Sequence, residues 1–370
     1  MPQQARVEES LSLSVQELSL KPVFLHWLFP IMKILVIGGT GFIGTPAVGE
    51  LQRLGHRVAV FHRGKSTASL PPDIERIIGD RQQIAESQPS FEAFAPDVVV
   101  DMILSSGPQA EALMHAFHGV TRRIVAISSI DVYRACGVTH GIEPGPLEPL
   151  PLTEESALRT KLHVYPPELL KRLQTVFSWV DDDYDKIPVE RAVLSDSSLP
   201  GTVLRLPMVY GPGDPLHRFF PVIKRVLDGR GRILFSQDMA AWRSPRGYVE
   251  NVAAAIALAA VSERAAGRIY NIAEWPAFSE LEWAQKIAAQ MDWHGEFVVL
   301  PADRAPKHLV PPGNAAQHWV ASSQRIRDEL GYHEPVPLDE ATRRTIAWER
   351  ANPPAQIDPH QFDYAAEDAA

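Results

Sequence analysis

The stretch Lys33-Ile-Leu-Val-Ile-Gly-Gly-Thr-Gly-Phe-Ile-Gly44 decides the fold of this chain. The short apolar run Ile34–Ile37 is typical of a strand that is buried on both faces. A glycine turn with the spacing G-x-x-G-x-x-G follows, formed by Gly38, Gly41 and Gly44. A strand, a glycine turn and a helix N-terminus together bind a dinucleotide pyrophosphate, because glycines allow close approach and the helix offers free N–H groups. A glycine-rich turn without a ligand is the alternative.

More buried strands follow this first one, and helical segments separate them. The sequence pattern predicts strands at Arg57–Phe61, Ile74–Ile78, Asp97–Ile103 and Arg122–Ser129. Strands that alternate with helices form right-handed βαβ units and a parallel sheet. Ligands bind such sheets at the carboxyl ends of the strands, and we therefore expect the functional residues at the ends of these predicted strands.

Composition excludes several classes of protein. The chain has 370 residues, of which 45% are hydrophobic, and a net charge of −9. The acidic charge and the lack of a long basic run argue against nucleic acid as a main partner. A single cysteine, Cys136, excludes an internal disulfide and a cysteine-rich metal site, and it fits a reducing cytoplasm.

The end of the second predicted strand indicates which dinucleotide is bound. In NAD-binding sites of this kind an acidic residue near this point holds the ribose 2′-hydroxyl, but here the sequence is His62-Arg63-Gly64-Lys65-Ser66. Arg63 and Lys65 offer positive charge for a 2′-phosphate, so the sequence favours NADP over NAD. The alternatives for Arg63 are a solvated loop residue or stacking on adenine. Asp80 is placed either to accept from the adenine amino group or to cap a helix.

Later motifs complete a resemblance to a known family. They are Ser128-Ser129-x-x-Val132-Tyr133, Arg205–Asp214, Arg246–Val252 and Tyr270–Ala273. With the glycine turn, they resemble the extended short-chain dehydrogenase/reductase family, the NAD-dependent epimerase/dehydratase group that acts mostly on nucleotide sugars. The resemblance covers residues 33–347. It implies an α/β fold, a Rossmann doubly wound parallel sheet with a smaller C-terminal substrate lobe.

The resemblance and the strand ends together predict a set of site residues. Expected cofactor contacts are Gly38, Thr40, Gly41, Phe42, Ile43, Gly44, Arg63, Asp80, Arg81, Met102, Ser128, Lys186 and Pro207. Expected substrate contacts are Ser129, Tyr210 and Arg246, the last by analogy with a phosphate-binding arginine of the family. The histidines show no helical His-x-x-x-His pair, and we expect no metal.

The expected catalytic residues depart from the family pattern. The family uses a Ser or Thr with a Tyr and a Lys four residues later; the Tyr transfers the proton, and the Lys lowers the tyrosine pKa and holds the nicotinamide ribose. By resemblance Ser129 takes the first role. Four residues after Tyr184 stands Pro188 rather than lysine. Lys186 matches the family's Lys-x-x-x-Glu pattern instead, which leaves Asp182 at the tyrosine position.

Proline at position 188 limits where the next helix begins. Since proline is tolerated only in a first helical turn, the helix should start near Asp185, with that residue or Asp183 as its cap. Tyr184 then lies in an extended segment, where residues two apart point the same way, and it can share a face with Lys186. Tyr184 either transfers the proton or only packs against the lobe. Asp182 is a poor substitute acid, because the carboxyl would be ionised beside a lysine.

The motifs also divide the chain into domains. The NAD(P)-binding Rossmann domain comprises residues 33–206 and 246–273, and the substrate lobe comprises 207–245 and 274–347. Residues 134–181 are a long insertion, expected to act as a lid or as a packing or dimer element. Residues 351–370 form a polar tail, expected to be disordered. Residues 1–31 lack a signal-peptide pattern and are expected to be disordered or not native, with Met32 as the natural start.

The sequence therefore predicts an NAD(P)-dependent epimerase, dehydratase or reductase. In this hypothesis Ser129 binds the substrate oxygen, Tyr184 transfers the proton and Lys186 positions the nicotinamide ribose. The substrate is a nucleotide sugar or a similar polar alcohol or ketone, and the family resemblance implies a homodimer. The alternative function is a non-catalytic dinucleotide-binding protein, either a redox sensor or an RNA-associated relative, although the acidic charge argues against RNA. The Val23–Ile31 run is too short to span a membrane.

Overall fold

The computed structural model describes residues 30–66 and 70–370. The strands are β1 Lys33–Ile37, β2 Arg57–His62, β3 Glu75–Ile78, β4 Val98–Asp101, β5 Arg123–Ser129, β6 Gly201–Leu206, β7 Met208–Tyr210, β8 Arg232–Ser236, β9 Arg246–Tyr248, β10 Ile269–Asn271 and β11 Glu296–Leu300. The helices are α1 Gly44–Arg53, α2 Gln88–Phe94, α3 Gly107–Phe117, α4 Arg134–Thr139, α5 Pro167–Val176, α6 Lys186–Val193, α7 Phe220–Leu227, α8 Gln237–Ala241, α9 Val249–Val261, α10 Glu280–Ala289, α11 Gln324–Leu330, α12 Leu338–Ala351 and α13 Tyr364–Asp368. Of the N-terminal extension, residues 1–29 lie outside the described residues.

Seven parallel strands form the central sheet in the order β3-β2-β1-β4-β5-β6-β10. The strand order reverses beside β1, so a crevice opens between the carboxyl ends of β1 and β4. Ile37 at the end of β1 pairs with Phe61 of β2 and Asp101 of β4. The three strands thus end at the same level, and the glycine turn emerges at this crevice. The predicted doubly wound parallel sheet is confirmed.

Helices cover both faces of the sheet. Ile34 and Val36 of β1 belong to a core that includes residues of α1 and α9, whereas Leu35 and Ile37 belong to a core that includes residues of α3 and α6. All four side chains are fully buried. The continuous apolar run is explained by this two-sided burial, since alternate strand residues face opposite layers.

Smaller units follow the main sheet toward the C-terminus. β7 pairs with β9, and β8 pairs with β11, both in parallel. Tyr210, Phe219 and Trp283 form a ring cluster with centroids 5.0 to 5.6 Å apart. This cluster joins the lobe elements to the end of β6, so the lobe sits at the same sheet edge as the glycine turn.

Residues 351–370 do not form the expected disordered tail. Helix α13 packs on the lobe, where the carboxylate of Glu367 is fully buried against Arg225 and His308. The phenol of Tyr364 donates to Asp228 at 2.6 Å. The polar composition of this segment suggested disorder, but Glu367 is paired with Arg225, 142 residues away, and with His308, 59 residues away.

Candidate active site

The glycine turn forms a cradle that leaves no room for side chains at its closest point. Gly38 has φ +80°, which favours glycine. A Cβ on Gly44 would lie 2.5 Å from the carbonyl oxygen of Gly38. Helix α1 begins directly after the turn; Ile43, its N-cap residue, makes no side-chain capping bond, and its first turn carries no acid. The helix N-terminus is therefore available to an anionic group such as a pyrophosphate.

A cavity of about 280 Å³ extends from this cradle toward the ends of β2 and β3. It is lined by six of the predicted cofactor residues: Gly38, Thr40, Gly41, Arg63, Asp80 and Arg81. Asp80 caps the following turn by accepting from the Gln82 N–H at 3.0 Å, so the capping role is present, and the residue still borders the cavity. Arg81 pairs with Asp101, but its Nη2 is buried with no partner among the described residues.

A second cavity of about 490 Å³ lies over the ends of β5 and β6. The remaining predicted residues that line it are Phe42, Ile43, Met102, Ser128, Ser129, Tyr184, Lys186 and Pro207. Trp179 and Val180 line both cavities. The two cavities together therefore follow the path that an extended dinucleotide would take across the carboxyl edge of the sheet.

A short segment of the insertion crosses this edge. We call residues 177–181 the strap. At one end Ser178 accepts a hydrogen bond of 2.9 Å from Arg63, and at the other the Asp181 carboxylate accepts from Ser105 and Ser106 at 2.9 and 2.7 Å. The strap thus bridges the end of β2 and the loop after β4, and it forms the wall that the two cavities share.

Lys186 begins helix α6 at the floor of the larger cavity. As the sequence predicted, Asp185 caps this helix by accepting from the Ile187 N–H at 2.9 Å, and Tyr184 precedes it. The Lys186 ammonium donates to the carbonyls of Leu104 and Ile127. Burial lowers the pKa of Lys186 to about 8, against the opposing effect of nearby carboxylates. The Lys186 side chain is thus charged below about pH 8 and loses its proton above that value.

Asp131 is a site residue that the sequence analysis missed. Its Oδ2 accepts from the hydroxyl of Tyr165 at 3.0 Å and from that of Tyr184 at 3.1 Å. Its Oδ1 is buried and has no hydrogen-bond partner among the described residues. Burial raises the pKa of Asp131. The sequence did contain a signal for Asp131, because an acidic residue interrupts the motif Ser128-Ser-Ile-Asp-Val-Tyr133, which leads into the core. No local sequence feature indicated Tyr165.

The tyrosine differs from the family expectation. Burial, followed by the neighbouring Asp131 carboxylate, raises the pKa of Tyr184 well above its ordinary value. The family resemblance implied a pKa lowered by lysine, and the Lys186 ammonium does lie 5.6 Å from the Tyr184 ring centroid. The carboxylate and the desolvation outweigh this cation. Tyr184 therefore stays protonated throughout the neutral pH range.

The two serines of the strand-five motif have different surroundings. Ser128 donates to Glu190 at 2.6 Å, and Glu190 in turn binds Arg205, all of them buried. The hydroxyl of Ser129 accepts from the Asp131 N–H at 3.2 Å. That bond uses a lone pair and leaves the Ser129 proton able to point into the cavity. Ser128 is thus a structural hydrogen-bond donor, and Ser129 can donate to a ligand.

Two predicted substrate contacts lie away from the larger cavity. Tyr210 is fully buried in the lobe core, where its hydroxyl donates to Glu274 at 3.1 Å. Arg246 binds both oxygens of Glu280, at 2.8 and 2.6 Å. Neither residue lines the cavity that contains Ser129. The structure therefore does not bring them together with the other predicted substrate contact.

Residues 30–66 and 70–370 contain neither a helix that could span a membrane nor a side-chain cluster that could hold a metal ion. Within these ranges no helix has the length and apolarity needed to cross a membrane. Nor do three or more His, Cys, Asp or Glu side chains gather there in an arrangement that could hold a metal ion.

Comparison with known proteins adds a family match. The model of the NAD dependent epimerase/dehydratase family matches residues 34–141 and 184–273. The gap between the matched segments corresponds closely to the insertion that carries Tyr165 and the strap. The two matched segments contain the glycine turn, Ser129, Tyr184 and Lys186.

Individual relatives include reductases and an epimerase. A 3-diazoavenalumate denitrifying reductase of a Streptomyces species is 28% identical over 323 residues, 83% of this chain and 97% of that protein. The UDP-glucose 4-epimerase of Corynebacterium glutamicum is 24% identical over 349 residues, 86% of this chain and 95% of that protein. Among solved structures, Bordetella bronchiseptica WbmG in complex with NAD superposes with a TM-score of 0.62 at 17% identity, covering 87% of this chain and 95% of WbmG. This last likeness shows the fold.

Proposed function

The chain belongs to the NAD-dependent epimerase/dehydratase family, and we propose that it is an NADP(H)-dependent enzyme that interconverts an alcohol and a ketone. One observation carries the proposal. Ser129, Tyr184 and Lys186 line a single cavity, beside the residues expected to contact the cofactor. Nucleotide sugars are one candidate substrate class, because the relative from Corynebacterium glutamicum is named for UDP-glucose. The free, buried thiol of Cys136 is compatible with a cytoplasmic location.

The cofactor would lie along the two cavities. The glycine cradle and the N-terminus of α1 would hold the pyrophosphate. Arg63 and Lys65, which both line the smaller cavity, would attract a 2′-phosphate, and no carboxylate stands at the end of β2 to favour a free 2′-hydroxyl. Arg81 adds a buried N–H donor without a partner in the described chain. These groups favour NADP over NAD.

The residues of the larger cavity have separable roles in the proposed reaction. Bound nicotinamide would supply or take the hydride. Ser129 donates a hydrogen bond to the reacting oxygen, and Tyr184 gives that oxygen a proton during reduction. The raised pKa keeps the Tyr184 proton available at neutral pH, and the nearby Lys186 ammonium stabilises the phenolate that forms. Asp131 orients the hydroxyls of Tyr184 and Tyr165.

The proposal is tested with the purified protein beside Tyr184→Phe. NADPH binding is followed by nicotinamide fluorescence, and turnover is measured with a panel of nucleotide sugars and of unphosphorylated ketones and alcohols. We expect both proteins to bind NADPH and only the parent to turn over a substrate. If both bind the cofactor and neither turns over any compound, the non-catalytic sensor becomes the better hypothesis. Failure of the parent to bind a nicotinamide cofactor contradicts both.

A further inference from the structure

The basic side chains around one lobe cavity, Arg246 among them, are already paired with carboxylates of the same chain. Arg246 is only 7% exposed; both of its hydrogen bonds to Glu280 come from one guanidinium nitrogen, and the group lies 4.9 Å from the Trp283 ring centroid. This is the arginine that the family resemblance assigned to a substrate phosphate. Its charge is balanced by Glu280 without any ligand.

The neighbouring cations are balanced in the same way. These cations are Arg218, Arg225 and His308, which line a lobe cavity of about 200 Å³ together with Arg246. Arg218 binds Asp214 at 2.6 Å. Arg225 and His308 both bind Glu367, which the C-terminal helix α13 inserts from the other side. Each cation that borders this cavity therefore has an internal carboxylate as its partner.

A nucleoside diphosphate would need these pairs to break. Phosphate oxygens are bound mainly by charge-assisted hydrogen bonds from arginine or lysine. Freeing Arg225 would leave the buried carboxylate of Glu367 with His308 as its remaining partner, and freeing Arg246 would break its pair with the partly exposed Glu280. Breaking such pairs is unfavourable, most of all for a buried charge. The carboxylates thus compete with a diphosphate for the same guanidinium groups, and they are held in place by the fold.

The larger cavity has the opposite character, since its wall is mostly apolar and aromatic. The side chains that form this wall include Phe177, Trp179, Trp242, Pro311, Pro312 and Trp319. Among the described lining residues, only Lys186, Arg218 and His140 are basic. Burial lowers the pKa of His140, which keeps the ring neutral. The nicotinamide end of the cofactor must share the 490 Å³, so the space left suits a compact molecule.

Two of the residues that line this apolar space carry a buried polar atom that lacks a partner within the described residues. These atoms are Oδ1 of Asp131 and Nε2 of His140. Buried polar atoms are nearly always satisfied, so these two mark the side of the cavity on which a polar group of a ligand is expected. Ser129 and Tyr184 line the same cavity as Asp131, so a polar group of a substrate is expected at this end and an apolar body at the other.

We propose that the substrate is a compact ring compound with an apolar body, an aryl or alicyclic ketone or the corresponding alcohol, and that it carries no nucleoside diphosphate. This inference rests on the proposed function. In the reduction, a hydride passes from NADPH to the carbonyl carbon and a proton passes from Tyr184 to the carbonyl oxygen. The ketone becomes an alcohol, NADPH becomes NADP⁺, and solvent returns the proton to the phenolate.

Titrations of the NADPH-loaded protein test the inference. UDP is titrated calorimetrically, and acetophenone and cyclohexanone are followed by tryptophan fluorescence and NADPH oxidation. We expect no saturable UDP binding up to millimolar concentration, and saturable binding of at least one of the two ketones. Micromolar UDP binding, turnover of a nucleotide sugar, or failure of both ketones to bind would overturn the substrate class. Absence of NADPH binding would instead contradict the proposed function.

Two variants on one helix control for indirect effects. Leu173 and Val176 both lie on α5, but only Leu173 lines the larger cavity. Leu173→Asp places a charge in the apolar wall and should weaken binding of the ketone probe roughly tenfold or more. Val176→Asp should leave it unchanged, and both variants should retain NADPH affinity. Equal ketone affinity in the two variants would contradict binding in this cavity.

Discussion

The Tyr184 hydroxyl donates to Oδ2 of Asp131 over 3.1 Å, and Asp131 accepts from Tyr165 through the same oxygen. One carboxylate oxygen thus orients two phenols at the wall of the larger cavity. Of these two phenols, Tyr184 lies near the Lys186 ammonium, which is 5.6 Å from its ring centroid, and a positive charge at this position would stabilise a phenolate. We therefore propose Tyr184 as the proton-transfer residue and Tyr165 as a residue that positions Asp131.

Tyr184→Phe should reduce kcat by roughly 10² to 10⁴-fold, because it removes a positioned proton donor. NADPH affinity should be unchanged. Tyr165→Phe is the matched control: it removes the other hydroxyl from the same oxygen and should reduce kcat far less. Steady-state kinetics with the best substrate of the panel measures both. A larger loss in Tyr165→Phe would assign the proton transfer to that residue instead.

NADPH affinity should depend on the protonation of Lys186, whose pKa is lowered to about 8. A lysine is charged below its pKa, so NADPH should bind tightly at pH values below 8. Its affinity should fall as the pH rises through that value. Fluorescence titrations across this range measure the effect. Lys186→Met should bind more weakly at low pH and should lack this pH dependence. If NADPH affinity still falls with rising pH in the variant, Lys186 is not the source of this pH dependence.

Arg63→Ala should lower the preference for NADPH over NADH, because it removes a cation from the smaller cavity, where a 2′-phosphate would lie. We expect NADPH affinity to fall roughly tenfold and NADH affinity to change little. Arg53→Ala, at an exposed position on α1 paired with Glu50, is the control and should alter neither affinity. An equal loss for both cofactors would indicate that Arg63 stacks on adenine or only anchors the strap.

Gly44→Ala should destabilise the protein by roughly 1–3 kcal/mol, because its Cβ would meet the carbonyl oxygen of Gly38 at 2.5 Å. It should also weaken NADPH binding. Gly49→Ala lies on the same helix, where a Cβ meets nothing within 4 Å, and it should stabilise the protein by about 0.5–1 kcal/mol. Urea unfolding of both variants measures these changes. A neutral Gly44→Ala would show that the turn can relax.

Glu367→Gln should lower the free energy of unfolding by roughly 3–5 kcal/mol, since it leaves the buried Arg225 guanidinium without its counter-charge. Asp368→Asn alters the next residue, which makes an exposed pair with Arg230, and should have little effect. Urea denaturation measures both changes, provided that the dependence of the unfolding free energy on urea concentration is the same in parent and variants. Equal stability of the two variants would mean that α13 does not pack on the lobe in solution.

Local signals in the sequence were sufficient where a residue's role depends on its neighbours in the chain. The glycine turn, the doubly buried strand β1 and the Asp185 cap before Pro188 are of this kind. Each follows from backbone sterics or from the burial of a few consecutive residues. The resemblance of these local motifs to a family then identified the fold.

Contacts between distant segments escaped prediction because no local pattern encodes them. Asp131 and Tyr165 are separated by 34 positions, and Arg225 and Glu367 by 142. The sequence by itself thus determined a dinucleotide-binding doubly wound fold and the neighbourhood of its site. Only the tertiary structure decided which carboxylate orients Tyr184, that Arg246 is held by Glu280, and that the last helix is ordered. The physical reason is that burial and charge pairing are properties of neighbours in space.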